Sequence, residues 1–223
     1  MYSMENNIHA SGVREVRSQS NCAVNLVHFG LGLLLVIASQ EPAFSDSQGK
    51  FPGKGSLSDY NKACSVVSEA NKLADKEDYK RALELDRQAI SIYPYDSLMY
   101  FDMGADNKNS GNMVDAIKAF EQAIALEPNF EDAWQALAGC YEHVTNLSQQ
   151  EKCLRKLISL KPKAFGYLST LGDVLRKQGR FEEAREYLIQ AKSLPAEQKS
   201  YKLLTRIMKL NDIHHTEAVN YYE

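Results

Sequence analysis

The side chains best suited to chemistry in this 223-residue chain are its thiols and imidazoles. Cys140 and His143 stand three apart, on one helix by spacing, and Cys153 falls on the helix that follows. Three ligands of zinc type are conceivable there, but a closed tetrahedral site needs a fourth, and none is evident. A Cys140–Cys153 disulfide is a second option if the chain is exported; packing as small, partly buried apolar groups is a third. His214 and His215 are adjacent and would point apart on a helix, a poor geometry for chelation. The stretch Ser45–Ser56 (SDSQGKFPGKGS) has the composition of a phosphate loop. Its glycine spacing is one residue short of GxxxxGK, Gly55 stands where Ser or Thr is required, and no strand precedes it. No Ser/His/Asp or Cys/His arrangement has supporting context. No catalytic, cofactor or metal residue is therefore assigned, and the chain reads as a non-enzyme. Asn146-Leu147-Ser148 is an N-glycosylation acceptor in an interhelical turn, relevant only in a eukaryotic secretory route.

Composition narrows the classes further. Hydrophobic residues make up 44% and charged residues 25%, which suits a folded domain with a sizeable core. A formal net charge of −3 gives no global reason to expect nucleic acid or anionic lipid as partner. The sign is uneven: Asp59 to Glu142 holds 16 acidic and 8 basic residues, and His143 to Pro195 holds 5 acidic and 10 basic. Four cysteines without CxxC spacing are too few for a disulfide scaffold.

Residues Ala23 to Ala38 (AVNLVHFGLGLLLVIA) are the most apolar stretch, preceded by Arg14 and Arg17 and followed by small residues. That is the layout of a secretory signal peptide. The long, partly acidic leader (Glu5, Glu15) fits an uncleaved membrane anchor as well, and an untargeted apolar helix is the third reading. Residues 1–45 are accordingly assigned as signal or anchor, with an exported or membrane-tethered location, cytoplasmic if neither holds. Residues 46–58 read as a flexible linker.

Beyond the linker a repeat shows itself by spacing. Pro94, Pro128 and Pro162 are 34 residues apart; Ala82 and Ala116, and Ala89 and Ala123, share that interval; Gly111 and Gly179 differ by two periods. The units run 63–96, 97–130, 131–164 and 165–194, inside a domain spanning 59–195. Each reads as two amphipathic helices with apolar residues at i, i+3, i+4 and i+7. Small residues at Gly104, Ala138 and Gly172 let the paired helices approach, with Ala116 and Ala184 facing them. Gly111 and Gly179 permit tight turns, and the prolines end each unit. Asp86 and Gln150 interrupt the second-helix pattern, so hairpins one and three are expected to close less tightly. Residues 196–223 supply a capping helix, with Tyr201, Leu204 and Met208 on one side, and a frayed tail.

The pattern W-x₂-L-x₃-Y … A-x₃-F-x₂-A-x₄-P resembles the tetratricopeptide repeat. Trp134, Leu137 and Tyr141 carry its first half; Ala116, Phe120, Ala123 and Pro128 carry its second. The resemblance covers about three-fifths of the chain and implies an all-α, right-handed α-solenoid of about four such helix-turn-helix repeats, closed by a C-terminal capping helix. It further implies a scaffold that binds a protein or peptide segment in a concave groove lined by the first helices. The positions facing that groove are Cys64, Val67, Asn71, Leu98, Phe101, Ala105, Asp132, Gln135, Gly139, Ser169, Asp173 and Lys177. Val67, Leu98 and Phe101 are expected to form an exposed apolar patch, with the second half polar. Relatives that clamp a peptide's terminal carboxylates use Lys and Asn at defined positions; only Asn71 matches, and Val67, Asp102, Asp132 and Ala136 do not. An acidic tail would meet repulsion. The alternative reading is self-assembly, a homo-oligomer stacked through opposed acidic and basic ends.

Overall fold

A computed structural model describes residues 52–194 and 207–213, whose regular secondary structure is entirely helical. Eight helices succeed one another: α1 (Leu57–Ala74), α2 (Tyr79–Ile92), α3 (Ser97–Asn109), α4 (Met113–Leu126), α5 (Glu131–His143), α6 (Leu147–Leu160), α7 (Phe165–Lys177) and α8 (Phe181–Lys192). Residues 207–213 form a further helical stretch. The chain divides at Ser110–Gly111 into two compact units, one holding α1 to α3 and the other α4 to α8. The apolar run 23–38, Cys22, most of the expected capping helix and the His214–His215 pair lie outside the described residues. Among the described residues no helix is long and apolar enough to cross a membrane.

Short polar side chains start the helices. Ser56 Oγ accepts from the Ser58 N–H (3.1 Å), Asp96 from the Leu98 N–H (2.9 Å) and Asn146 from the Gln149 N–H (3.2 Å). Each satisfies a first-turn donor that has no partner within its helix. The prolines act one residue ahead of themselves. Tyr93, Glu127 and Lys161 leave the helix with ψ of 92°, 90° and 80°, because the ring that follows excludes helical geometry there.

In the turns after α1, α3, α5 and α7 a single residue enters the left-handed region. These residues are Glu77 (φ 61°), Gly111 (85°), Thr145 (56°) and Gly179 (79°), 34 positions apart each time. Two are glycine and adopt it freely; Glu77 and Thr145 do so at a cost of about 1 kcal/mol or more each.

In the first unit, α1 buries Tyr60, Ala63, Cys64, Val67, Ala70 and Ala74, a helical stripe. Ala82 and Ala89 of α2 are fully buried as well. Tyr60 and Tyr93 meet edge-on at 5.1 Å, and Tyr93 and Tyr95 at 5.5 Å. The Tyr93 hydroxyl donates to the Lys54 carbonyl, and a Cβ on Gly55 would stand 3.3 Å from Tyr93 Cε2. The end of the stretch read as a flexible linker is therefore pinned, and α1 begins at Leu57.

In the second unit, Leu154, Leu157, Leu171, Val174, Leu175 and Ala184 form one core, with Leu168, Leu188, Ala191 and Ile207 beyond it. Gly172 is required there: a Cβ would lie 2.6 Å from Leu188 Cγ and Cδ2. Asn211 Nδ2 donates to the Phe181 carbonyl (3.2 Å), fixing the 207–213 stretch against α8. Asp86 and Gln150, expected to loosen their hairpins, are instead buried at 1% and 2% exposure, so the chain closes around the polar group. Gln150 Oε1 meets no hydrogen-bond donor among the described residues.

An ion network joins α6 to α8. Arg155 pairs with Glu151 (2.8 Å) and Glu183, donates to Tyr187 Oη (2.9 Å) and lies 5.6 Å over that ring; Arg180 pairs with Glu151 (2.7 Å) and Glu183. Hydrogen bonding from Arg155 holds Glu183 below the ordinary carboxylate range. Burial alone would raise Glu151, but hydrogen bonds from Arg180 and Arg155 outweigh it and hold this carboxyl low as well.

Three outcomes are expected from this packing. Gly172→Ala should destabilise by about 1–3 kcal/mol in urea unfolding, because Leu188, which has no exposed surface, would have to shift within the core. Gln150→Met, which keeps the volume and removes the unsatisfied oxygen, should raise the melting temperature by a few degrees; a lower value would mean Gln150 is well satisfied. Glu151 and Glu183 have folded pKa values below their unfolded ones. Their contribution is therefore complete above about pH 5 and is lost as pH falls through the folded values. Melting temperature followed from pH 7 to pH 3 should fall less in Glu151→Gln than in the unaltered chain; parallel curves would remove the network from the account.

Candidate functional site

The structure divides the expected groove residues by unit. In the first unit Val67 is 6% exposed and belongs to the core with Tyr60, Cys64 and Met99. Phe101 is 3% exposed and Ala105 4%, while Asn71 and Leu98 are half-buried. The apolar patch expected on an open wall is thus not an open surface. The reason lies in α3, which buries Met99, Phe101, Asp102, Gly104, Ala105, Asp106 and Asn107, and so is enclosed around most of its circumference.

The second unit is different. Helices α5 and α7 bury one side each, through Ala133, Leu137, Ala138, Cys140 and Tyr141, and through Leu168, Leu171, Gly172, Val174 and Leu175. On α5 the opposite stripe leaves Asp132 and Gln135 exposed and Gly139 partly so. The matching stripe of α7 carries Gly166, Ser169, Asp173 and Lys177. Ser169 is largely buried and donates to the Gly166 carbonyl (3.0 Å). Asp173 takes ion pairs from Arg176 (2.8 Å) and Lys177 (2.9 Å). Those two cations outweigh partial burial and hold its carboxyl below the usual range.

Tyr167, which the repeat pattern gave no reason to single out, sets these stripes side by side. Its hydroxyl lies 2.7 Å from Glu131 Oε1 and 3.0 Å from Gln135 Oε1. One phenol proton cannot serve both, so it goes to the carboxylate, and Gln135 with its amide turned donates to the phenol oxygen. Lys161 completes the cluster, 2.6 Å from Glu131 Oε2. Burial, then the Glu131 carboxylate, push the Tyr167 phenol well above its ordinary value. Asp132 shows a related effect: water reaches it, yet crowding by surrounding protein and the neighbouring Glu131 raise its carboxyl. A Cβ built on Gly166 would meet nothing within 4 Å, so the α7 stripe is open at that position.

The residues with chemical potential do not gather there. Cys140 and Cys153 are buried and not joined by a disulfide, whereas His143 is exposed on the same helix as Cys140. Burial pushes the Cys153 thiol up to about 12, which keeps it protonated. Among the described residues no three His, Cys, Asp or Glu side chains are disposed around a common metal position. Asn146 is exposed and serves as the N-cap of α6.

Comparison with known proteins places this geometry. Two tetratricopeptide repeat profiles match residues 131–163 and 166–194, the α5–α6 and α7–α8 hairpins. Similar curated proteins include the peroxisomal targeting signal receptor of Kluyveromyces lactis, 35% identical over 72 residues, which cover 30% of this chain and 13% of the receptor. Human tetratricopeptide repeat protein 7B is 27% identical over 110 residues, covering 49% of this chain and 13% of that protein. The matched part is thus about an eighth of each relative. Among solved structures, MamA from Desulfovibrio magneticus RS-1 superposes with a TM-score of 0.51 at 20% identity, covering 58% of this chain and 73% of that one. The first such repeat domain of Spaghetti (RPAP3), bound to the HSP90 peptide SRMEEVD, gives 0.50 at 16% identity, covering 54% and 95%. At those identities the structural likeness is one of fold. The profiles, the 34-residue recurrence of turns and prolines, and the all-helical hairpins agree: residues 131–163 and 166–194 are tetratricopeptide repeats.

Proposed function

We propose that the chain is a non-catalytic binding module whose α5–α7 face receives an extended segment of another protein. One observation carries the reading. The stripes of α5 and α7, joined by Tyr167, leave Asp132, Gln135 and Lys177 open to solvent above an apolar core, and α7 has open space where a side chain at Gly166 would stand. Side chains on packed helices are held in place before a partner arrives, which lowers the entropic cost of association. Similarity in name points the same way: one group of relatives are receptors for a targeting signal, and one solved neighbour holds a peptide.

The test is site-directed photocrosslinking in the full chain. A photoreactive phenylalanine analogue replaces Gln135 on the face in one preparation and Lys152, exposed on α6, in a control. Discrete protein adducts are expected from position 135 and not from position 152. The same adducts from both, or none from either, would remove the α5–α7 face as the binding surface.

A further inference from the structure

The stripe of the first unit that matches the open stripe of α5 is covered, and hairpin stacking alone does not cover it. Leu98 and Phe101 hold on α3 the positions that Asp132 and Gln135 hold on α5, 34 residues later. Asp132 and Gln135 are exposed, whereas Leu98 is half-buried and the bulkier Phe101 is 3% exposed. No residue from Ser97 to Lys108 is exposed, while α7 keeps Gly166 and Lys177 in solvent. Cys64 and Val67, the same two positions on α1, are 3% and 6% exposed. Beside this stripe Asp102 and Asp106 are buried at 2% and 0% exposure, and carboxylates so enclosed require cations or several donors next to them. Every lysine and arginine from Lys54 to Arg87 is exposed, which leaves those charges in water. In a structure of one chain, the cover is intramolecular.

We propose that the chain's own residues 14–38 occupy this stripe, the apolar run 23–38 lying against Val67, Leu98 and Phe101, and Arg14 and Arg17 supplying cations to Asp102 and Asp106. One contiguous piece of sequence then matches both parts of the surface, its greasy half the apolar stripe and its basic half the buried carboxylates. Reach is sufficient. The segment enters the first unit where the Tyr93 hydroxyl holds the Lys54 carbonyl. From there back to Ala38 an extended chain spans about 50 Å, and α3 is only about 20 Å long. The first unit is thereby closed to an external segment by the protein itself, and binding falls to the α5–α7 face. This role takes 23–38 as neither signal nor anchor.

The experiment places a photoreactive phenylalanine analogue at position 98 of the full chain, its intact mass confirming residues 1–223. Unlabelled and heavy-isotope-labelled protein are mixed in equal amounts, irradiated, digested with trypsin and read by mass spectrometry. Adducts are expected to the tryptic peptide 18–50, which holds the apolar run, and within one isotope label only. The double variant Arg14→Glu, Arg17→Glu alters no residue of the repeats, and circular dichroism checks that its helices are intact. It should lower the yield of that adduct about tenfold. Adducts that join labelled to unlabelled chains would make a second copy the occupant and overturn the proposal. So would adducts confined to the helices 57–192, or no adduct to 18–50. A yield unchanged in the double variant overturns the pairing of the arginines with Asp102 and Asp106. None of these outcomes bears on the α5–α7 face, whose crosslinking from position 135 is a separate measurement.

Discussion

A helix of 12 to 18 residues, the range found here, does not persist by itself in water. Each must press a long seam of its surface onto a neighbour, and the seam works only where side chains are small. Ala63, Ala70, Ala82 and Ala89 in the first unit, and Ala133, Ala184 and Ala191 in the second, have no exposed surface at all. Gly172 is the extreme case, where even a methyl would collide with Leu188. Larger residues such as Phe120, Leu157 and Leu171 then fill what remains, and stability accrues hairpin by hairpin.

The same seam determines what is left over. Because α5 and α7 spend one side on apolar contact, the residues a turn away face out at fixed positions, and polar side chains tie the elements together. Tyr167 with Glu131 and Lys161 does so on one side of the second unit; Arg155 and Arg180 with Glu151 and Glu183 join α6 to α8. A surface held in this way is specific through the arrangement of its charges more than through greasy contact. That is a different character from the apolar wall that Val67, Leu98 and Phe101 would have made.

How far the residues announced this arrangement depends on what kind of physics each one carries. The 34-residue interval of Pro94, Pro128 and Pro162 was legible because proline acts locally, on the residue before it, whatever the tertiary context. Gly172, Ala116 and Ala184 were legible because close approach admits few residue types. Phe101 was misjudged for the opposite reason. Helical periodicity gives the side of α3 it occupies, but enclosure of that side depends on how the whole helix is surrounded. Asp86 and Gln150 were misjudged alike: polarity was read as looseness, yet a buried polar group can be accommodated without opening a hairpin. Tyr167 was invisible because its role is a contact with Glu131 and Gln135, more than thirty residues away, and the family pattern has no aromatic there. The pinned Lys54–Gly55 segment escaped because glycine-rich composition suggests mobility, while the Tyr93 hydroxyl that holds it comes from just past the end of α2, 39 residues on.

The left-handed residue that closes each turn carries one more implication. Glu77, Gly111, Thr145 and Gly179 share a backbone conformation but not a residue type, so at this point shape recurs where chemistry does not. The conformation must then be imposed by the flanking helices, and the side chain merely tolerates it. Loops of that kind are free to drift in sequence. They give a stacked array places where composition can change, and new surface can be presented, without altering the pitch from one repeat to the next.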